Sequence, residues 1–329
     1  KAAAAQRAGD MGTAIAALEG IAGKVGGGEA GQVAEQLASA YAQQRNNGKA
    51  TEWMNKAIAA GNNSASIKQL QAYLQGASGD YAAIARDSGA AVSAAEQGGQ
   101  RPSEGDLLRL ADAQQRTGNN AGYSNTLEKL LSYYPKKDYW NAHLSRLPRK
   151  PGFGDRFALD VMRLRLASGT LTKTEDFMEM AQLSLQAGLA GEGRRIVDQG
   201  YKAGLLGTGA EAARHQRLKD LAVKQEGELK AAIAGQTAEA EAQKDGNDLV
   251  KVGYAYVSLG EVDKGIALIE KGIAKGGLKR PEDAKLRLGM AQQQSAKFKA
   301  KATQTLRSVT GNDGAADIAR LWVVAGNGG

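Results

Sequence analysis

Apolar residues in this chain recur three and four positions apart in short runs. The runs come in twos with a glycine between them, which predicts pairs of amphipathic helices joined by tight turns. The clearest pair spans residues 247–277. Leu249, Val252, Gly253 and Tyr256 share one side of its first helix, Gly260 marks the turn, and Gly265, Ile269 and Gly272 line the second helix. Small residues at the facing positions let the two backbones approach closely.

Weaker versions of the pattern precede it. Residues 2–8 and 13–21 form a pair around Gly9-Asp10, with Ala14, Leu18 and Ile21 on the second helix. After a break at Gly26-Gly27-Gly28, Leu37, Ala38 and Tyr41 are followed by Ala50, Met54 and Ala57, and Trp53 is expected to cover the joint between two pairs. Residues 67–96 hold Leu70, Tyr73 and Leu74 before Gly79-Asp80-Tyr81 and then an alanine-rich helix. Ser103 reads as an N-cap for Leu107, Leu110 and Ala111, which lead through Gly118 to Tyr123, Leu127, Leu130 and Pro135.

The period changes over 136–168, where Pro148 and Pro151 separate helical runs at 139–147 and 156–167. Another pair follows, 177–185 and then Gly193, Val197 and Gly200 beyond the turn at Gly188. Residues 209–244 are charged and alanine-rich, and they predict two longer helices packed on one side or a hinge. Leu286, Leu288 and Gly289 lead to Ala302, Leu306 and Val309, and a final apolar helix over 315–324 places Trp322 and Val323 over the end of the core. The expected organisation is thus repeats over 1–135, a divergent basic segment and a repeat over 136–207, longer charged helices over 208–245, and repeats with a capping helix over 246–329.

Composition adds limits. A chain of 329 residues exceeds the size at which one compact core stops growing, so several domains or one repeat array are expected. Aromatics make up only 5%, glycines number 43, and cysteine is absent, which removes disulfides and thiolate chemistry. No run of 18 apolar residues encodes a transmembrane helix. The chain opens on Lys1 instead of a start methionine, and an upstream segment is expected to have been removed.

The order of bulky apolar residue, Leu, Gly and Tyr on one helix, then small, apolar and small on the next, resembles the tetratricopeptide repeat. That resemblance implies an all-α superhelical solenoid of helix-turn-helix repeats. Nearly the whole chain is similar to exported proteobacterial tetratricopeptide-repeat proteins of undefined role. The likeness is carried by YYPKKDYW at 133–140, RKPGFGDRFALDVMRLRLASGTL at 149–171, DFMEMAQLSLQAGL at 176–189 and IEKGIAKGGLKRPEDAKLRLGMAQ at 269–292. It implies a periplasmic or secreted location, with a signal peptide ahead of Lys1.

No residue set announces a reaction. His143 and His215 lie in separate repeats without a second imidazole at metal-ligand spacing, and each is expected to be a surface or packing residue. Phosphate-loop and serine-elbow motifs are missing, and the paired acids Glu175-Asp176 and Glu282-Asp283 stand at helix starts, where they offset the helix dipole. Neither an enzyme nor a cofactor is expected.

Binding is expected instead, on the face of each first helix opposite its packing residues, the concave side of such solenoids. That face carries Gln32, Glu35, Ser39 and Gln43, then Leu108, Asp112 and Arg116, then Met178, Gln182 and Gln186, then Val250 and Tyr254, and finally Leu286, Met290 and Gln293. Glutamine, Met and Leu suit an extended peptide or a helix of a partner protein. The Lys and Asn pair with which some chaperone-binding relatives grip a terminal carboxylate is missing from these positions.

A net charge of +8 favours acidic partners. Over 136–168 eight basic residues stand against three acidic ones, and over 261–307 eleven stand against five. Arg149, Lys150, Arg163, Lys297 and Lys299 are read there as a basic surface. Few aromatics interleave with them, so nucleic acid is not expected. The expected function is a protein-binding scaffold of the bacterial envelope or exterior. The alternatives are end-to-end self-assembly into filaments or oligomers, and binding of an anionic or carbohydrate polymer through the basic segments.

Overall fold

The computed structural model describes residues 2–7 and 9–327, so that Ala8, expected in the first helix, lies outside the described residues. Among the described residues every regular element is helical: 18 α-helices and two 3₁₀ turns, with no strand. The chain divides into two compact units, Lys1–Tyr133 and Tyr134–Gly329.

The first unit holds α1 (Ala2–Arg7), α2 (Met11–Ala22), α3 (Gly27–Gln43), α4 (Asn47–Ala59), α5 (Ala65–Ser78), α6 (Tyr81–Gln97), α7 (Glu104–Arg116) and α8 (Asn120–Tyr133). Each helix packs on the next. One turn is used repeatedly to make this happen. Gly9, Gly79 and Gly118 adopt φ of 78°, 76° and 73°, and Arg45 fills the same place at 59° between α3 and α4. The residue that follows, Asp10, Asn46, Asp80 or Asn119, turns its side-chain oxygen onto a backbone N–H three positions on, at 2.9–3.2 Å. A left-handed residue ends one helix and a capping side chain starts the next.

The break expected at Gly26-Gly27-Gly28 lies slightly earlier, at residues 23–26, because α3 already begins at Gly27. Ile15, Leu18, Leu37 and Ala40 form one buried cluster, and Ala38, Ala50, Met54, Ala57, Ile67 and Leu74 belong to another. Trp53 packs against both, where its ring also lies 4.1 Å beneath the Lys56 ammonium.

The second unit holds α9 (Lys137–Arg146), 3₁₀ turns at Leu147–Arg149 and Asp155–Phe157, α10 (Ala158–Ala167), α11 (Thr174–Gln186), α12 (Ala190–Lys202) and α13 (Ala212–Ala242). It continues with α14 (Asn247–Ser258), α15 (Val262–Lys275), α16 (Pro281–Gln293), α17 (Lys299–Arg307) and α18 (Ala315–Asn327). The two longer helices expected over 209–244 are one helix of 31 residues. Its glycines, Gly227 and Gly235, stay helical, and i,i+4 pairs such as Glu226–Lys230 span the middle. Arg194 of α12 holds Glu226 at 2.8 Å and ties that middle to its neighbour.

Glycine sets the closest helix approach. A Cβ on Gly265 would lie 2.4 Å from the Gly253 carbonyl oxygen, and one on Gly272 would lie 2.8 Å from that of Gly246, so α14 and α15 touch backbone to backbone. Packing also joins helices far apart in the chain, since α10 packs on α18. The connector before α10 is tied to the same region. The Gly154 N–H donates to the Asp313 carbonyl at 2.7 Å, and Lys150 reaches Asp317 at 3.0 Å. Arg156 grips Asp283 at 2.8 and 2.9 Å and Asp313 at 2.6 Å.

Candidate functional site

Helix α10 is short and surrounded. All six residues from Leu159 to Leu164 are buried, Asp160 and Arg163 among them. Two charges removed from water require partners, and the fold supplies them from helices far along the chain. Asp160 accepts from Arg163 of its own helix at 3.0 Å and from Arg287 of α16, whose Nη2 lies at 2.9 Å. Arg163 in turn forms a two-pronged pair with Glu192 of α12, both contacts at 2.8 Å. The Ser184 hydroxyl of α11 donates to the same carboxylate at 3.0 Å. The two arginines and two acids cancel in charge, and together with Ser184 they cross-brace α10, α11, α12 and α16.

Tyr254 of α14 stands against this network. The Arg163 and Arg287 guanidinium groups each lie 5.5 Å from its ring centroid, a distance at which cation–π attraction operates. Burial alone would raise the pKa of both carboxyls. The charges of Arg287 and Arg163 overcome it for Asp160, and the charge and hydrogen bonds of Arg163 do so for Glu192, so both are held below the ordinary carboxylate range. Burial pushes the Tyr254 phenol upward, with the Glu192 charge adding to it and Arg163 opposing.

Arg163 and Tyr254 each line two cavities. One, of about 470 Å³, is walled by α10, α11, α12, α14, α16, α17 and α18, with Met180, Ile196, Met290 and Trp322 as apolar lining and Gln199, Gln293, Gln294, Arg195 and Lys299 as polar lining. The other, of about 840 Å³, lies between α10, α11, α14, α16 and the 276–280 loop, with Leu159, Leu183, Leu189 and Leu278 as apolar lining.

The residues expected at a site fall into three groups. Tyr254, Met290, Gln293, Lys299 and Arg163 all line the smaller cavity, and Val250 and Gln186 line the larger. Gln43, Asp112 and Arg116 belong to the first unit, where Gln43 is exposed and Arg116 pairs with Asp112 at 3.0 Å in a shallow cleft beside Tyr73 and Tyr81. Gln182 is exposed on α11 and lines neither cavity.

Three readings need correction. Arg163 is not part of a basic surface, because Asp160 and Glu192 neutralise it in the interior, where its side chain is 6% exposed. Met178 is 2% exposed and presents nothing to a partner, because α10, α12 and α13 enclose α11. Tyr254, expected on an outward face, is 6% exposed, since the Arg163 and Arg287 side chains lie over its ring. Met290, at 4%, keeps only its cavity-side edge. Lys150 is half-exposed and paired with Asp317, whereas Arg149, Lys297 and Lys299 are exposed.

Both histidines are buried, and His215 accepts from the Gly207 N–H through Nδ1 at 3.0 Å. Among the described residues no three His, Asp or Glu side chains gather so as to hold a metal ion, and no helix is long and apolar enough to cross a membrane. Sequence reasoning missed Arg195 and Gln199, which share the cavity-facing side of α12 at i,i+4 spacing, and it read Trp322 only as a cap. No protein-family model and no curated protein matches the chain.

Proposed function

We propose that this chain is a non-enzymatic interaction protein, a tetratricopeptide-like solenoid of the bacterial envelope or exterior that binds another protein through the smaller cavity of its second unit. The observation carrying this reading is the meeting of Arg163, Tyr254, Met290, Gln293 and Lys299, drawn from α10, α14, α16 and α17, at one opening. Its lining mixes thioether, aromatic and aliphatic surface with carboxamides and three cations, of which Arg163 is neutralised, the chemistry that takes an apolar side chain and hydrogen-bonds the peptide around it. The one carboxylate there, Glu192, is engaged by Arg163 and Ser184, so it offers no free base. That favours binding over catalysis.

A photocrosslinking residue placed singly at Gln294 or Thr303, on the cavity rim, is expected to give one discrete adduct in envelope extract. The same residue at Val223, exposed on α13, is expected to give none. Adducts of equal yield from all three positions, or none above background, would contradict the reading.

A further inference from the structure

We infer that the larger cavity is a second docking site, and that its occupant is an acidic, leucine-bearing segment of the partner protein. The inference rests on the protein-binding reading above and names the chemistry of what is bound. Six basic and three acidic side chains line this cavity. Arg163 and Arg287 are neutralised with Asp160 and Glu192, and Arg156 is held by Asp283 and Asp313.

What remains is Lys251 on α14, and Lys279 and Arg280 on the loop before α16, with Asp155 as the remaining acid of the lining. The three cations are exposed and form no salt bridge among the described residues, although Lys279 lies near enough to help lower the Asp245 carboxyl, after the hydrogen bonds from Asn247. They line an opening whose other residues include Leu183, Leu189 and Leu278. Excess positive charge over a leucine-lined hollow is the complement of an acidic segment carrying a leucine.

The loop is held in shape before any partner arrives. Asn247, at the start of α14, donates through Nδ2 to the Gly277 carbonyl at 3.2 Å and accepts the Lys279 N–H on Oδ1 at 3.0 Å. The Gly246 N–H donates to the Gly276 carbonyl at 2.8 Å, so the turn is pinned on both sides. The backbone carrying two of the three cations is therefore fixed at the cavity rim, and ordering it costs little on binding.

The test is fluorescence anisotropy with a short labelled peptide of alternating glutamate and leucine, run against the intact chain at low and high salt. The peptide is expected to bind, to weaken as salt rises, and to weaken about 10-fold when glutamine replaces glutamate. The triple variant Lys251→Glu, Lys279→Glu, Arg280→Glu is expected to lose the interaction while its circular dichroism and melting curve match the parent, because those side chains make no salt bridge to lose.

Equal binding of the glutamate and glutamine peptides would overturn the inference, as would full binding by the triple variant. Equally tight binding of leucine-free dextran sulfate would overturn it in favour of a polyanion. The Gln294 photo-adduct separates the two levels. If the triple variant fails the peptide test yet still forms that adduct, partner capture at the smaller cavity stands independently. If the adduct is missing from the parent as well, the protein-binding reading itself fails.

Discussion

Replacing Arg163 with methionine is expected to cost the second unit about 3–5 kcal/mol, the usual cost of removing one partner from a buried ion pair. Arg163 is 6% exposed and serves two acids, so its loss leaves Glu192 in the interior without its two-pronged partner and leaves Asp160 with Arg287 alone. Methionine keeps much of the volume, which makes the effect one of charge more than of packing. Adding Glu192→Gln to Arg163→Met removes the stranded charge, and about half the loss is expected to return. Denaturant unfolding followed in the second unit reads both.

The same variant has a pH signature. In the parent, Asp160 and Glu192 bind protons more weakly folded than unfolded. Their stabilisation is therefore complete above about pH 5 and is lost progressively as pH falls through the carboxylate range and below it. In Arg163→Met, burial raises Glu192, so its penalty is greatest near neutrality and eases on acidification. The stability gap between the two proteins should be widest at neutral pH and narrow toward about pH 4. A gap that is constant with pH would mean that Arg163 acts by packing alone.

The second large effect is steric. In Gly265→Ala the new Cβ would lie 2.4 Å from the Gly253 carbonyl oxygen and 2.5 Å from a Val257 methyl, closer than real atoms approach. Alanine gains about 1 kcal/mol in helix propensity, but separating two packed backbones costs about 3 kcal/mol or more. The net expectation is a loss of roughly 2 kcal/mol. Gly227→Ala on α13 is the control, because its Cβ meets nothing within 4 Å and the propensity gain should appear undiminished. If both variants are equally stabilised in thermal melts, the α14–α15 contact is looser than the glycines indicate.

Local physics made the helices legible. Turn glycines, Asp and Asn caps and apolar spacing act within a few residues, and the expected pairs appear around Gly9, Gly79, Gly118, Gly188 and Gly260, each at positive φ. The pairing of Lys150, Arg156 and Arg163 in the 136–168 segment is not legible locally, for the opposite reason. Its acid partners lie on α12, on α16 and at Asp313 and Asp317, so a charge count taken along the chain sees only unpaired arginine. Tyr254 shows the same limit. Its helix face is legible from the apolar spacing, but that the Arg163 side chain covers it depends on a contact 91 positions away. The cavity residues Arg195 and Trp322 follow from that closure and have no local signal of their own.

Hydrogen exchange on the complex with the protein captured through Gln294 tests the central claim, that the smaller cavity is where a partner sits. Exchange is expected to slow in α10, in the stretch from Met290 to Thr303 and in α18, while α13 and residues 2–133 exchange as in the free chain. Slowing confined to α13 or to the first unit, with the cavity walls unchanged, would contradict it.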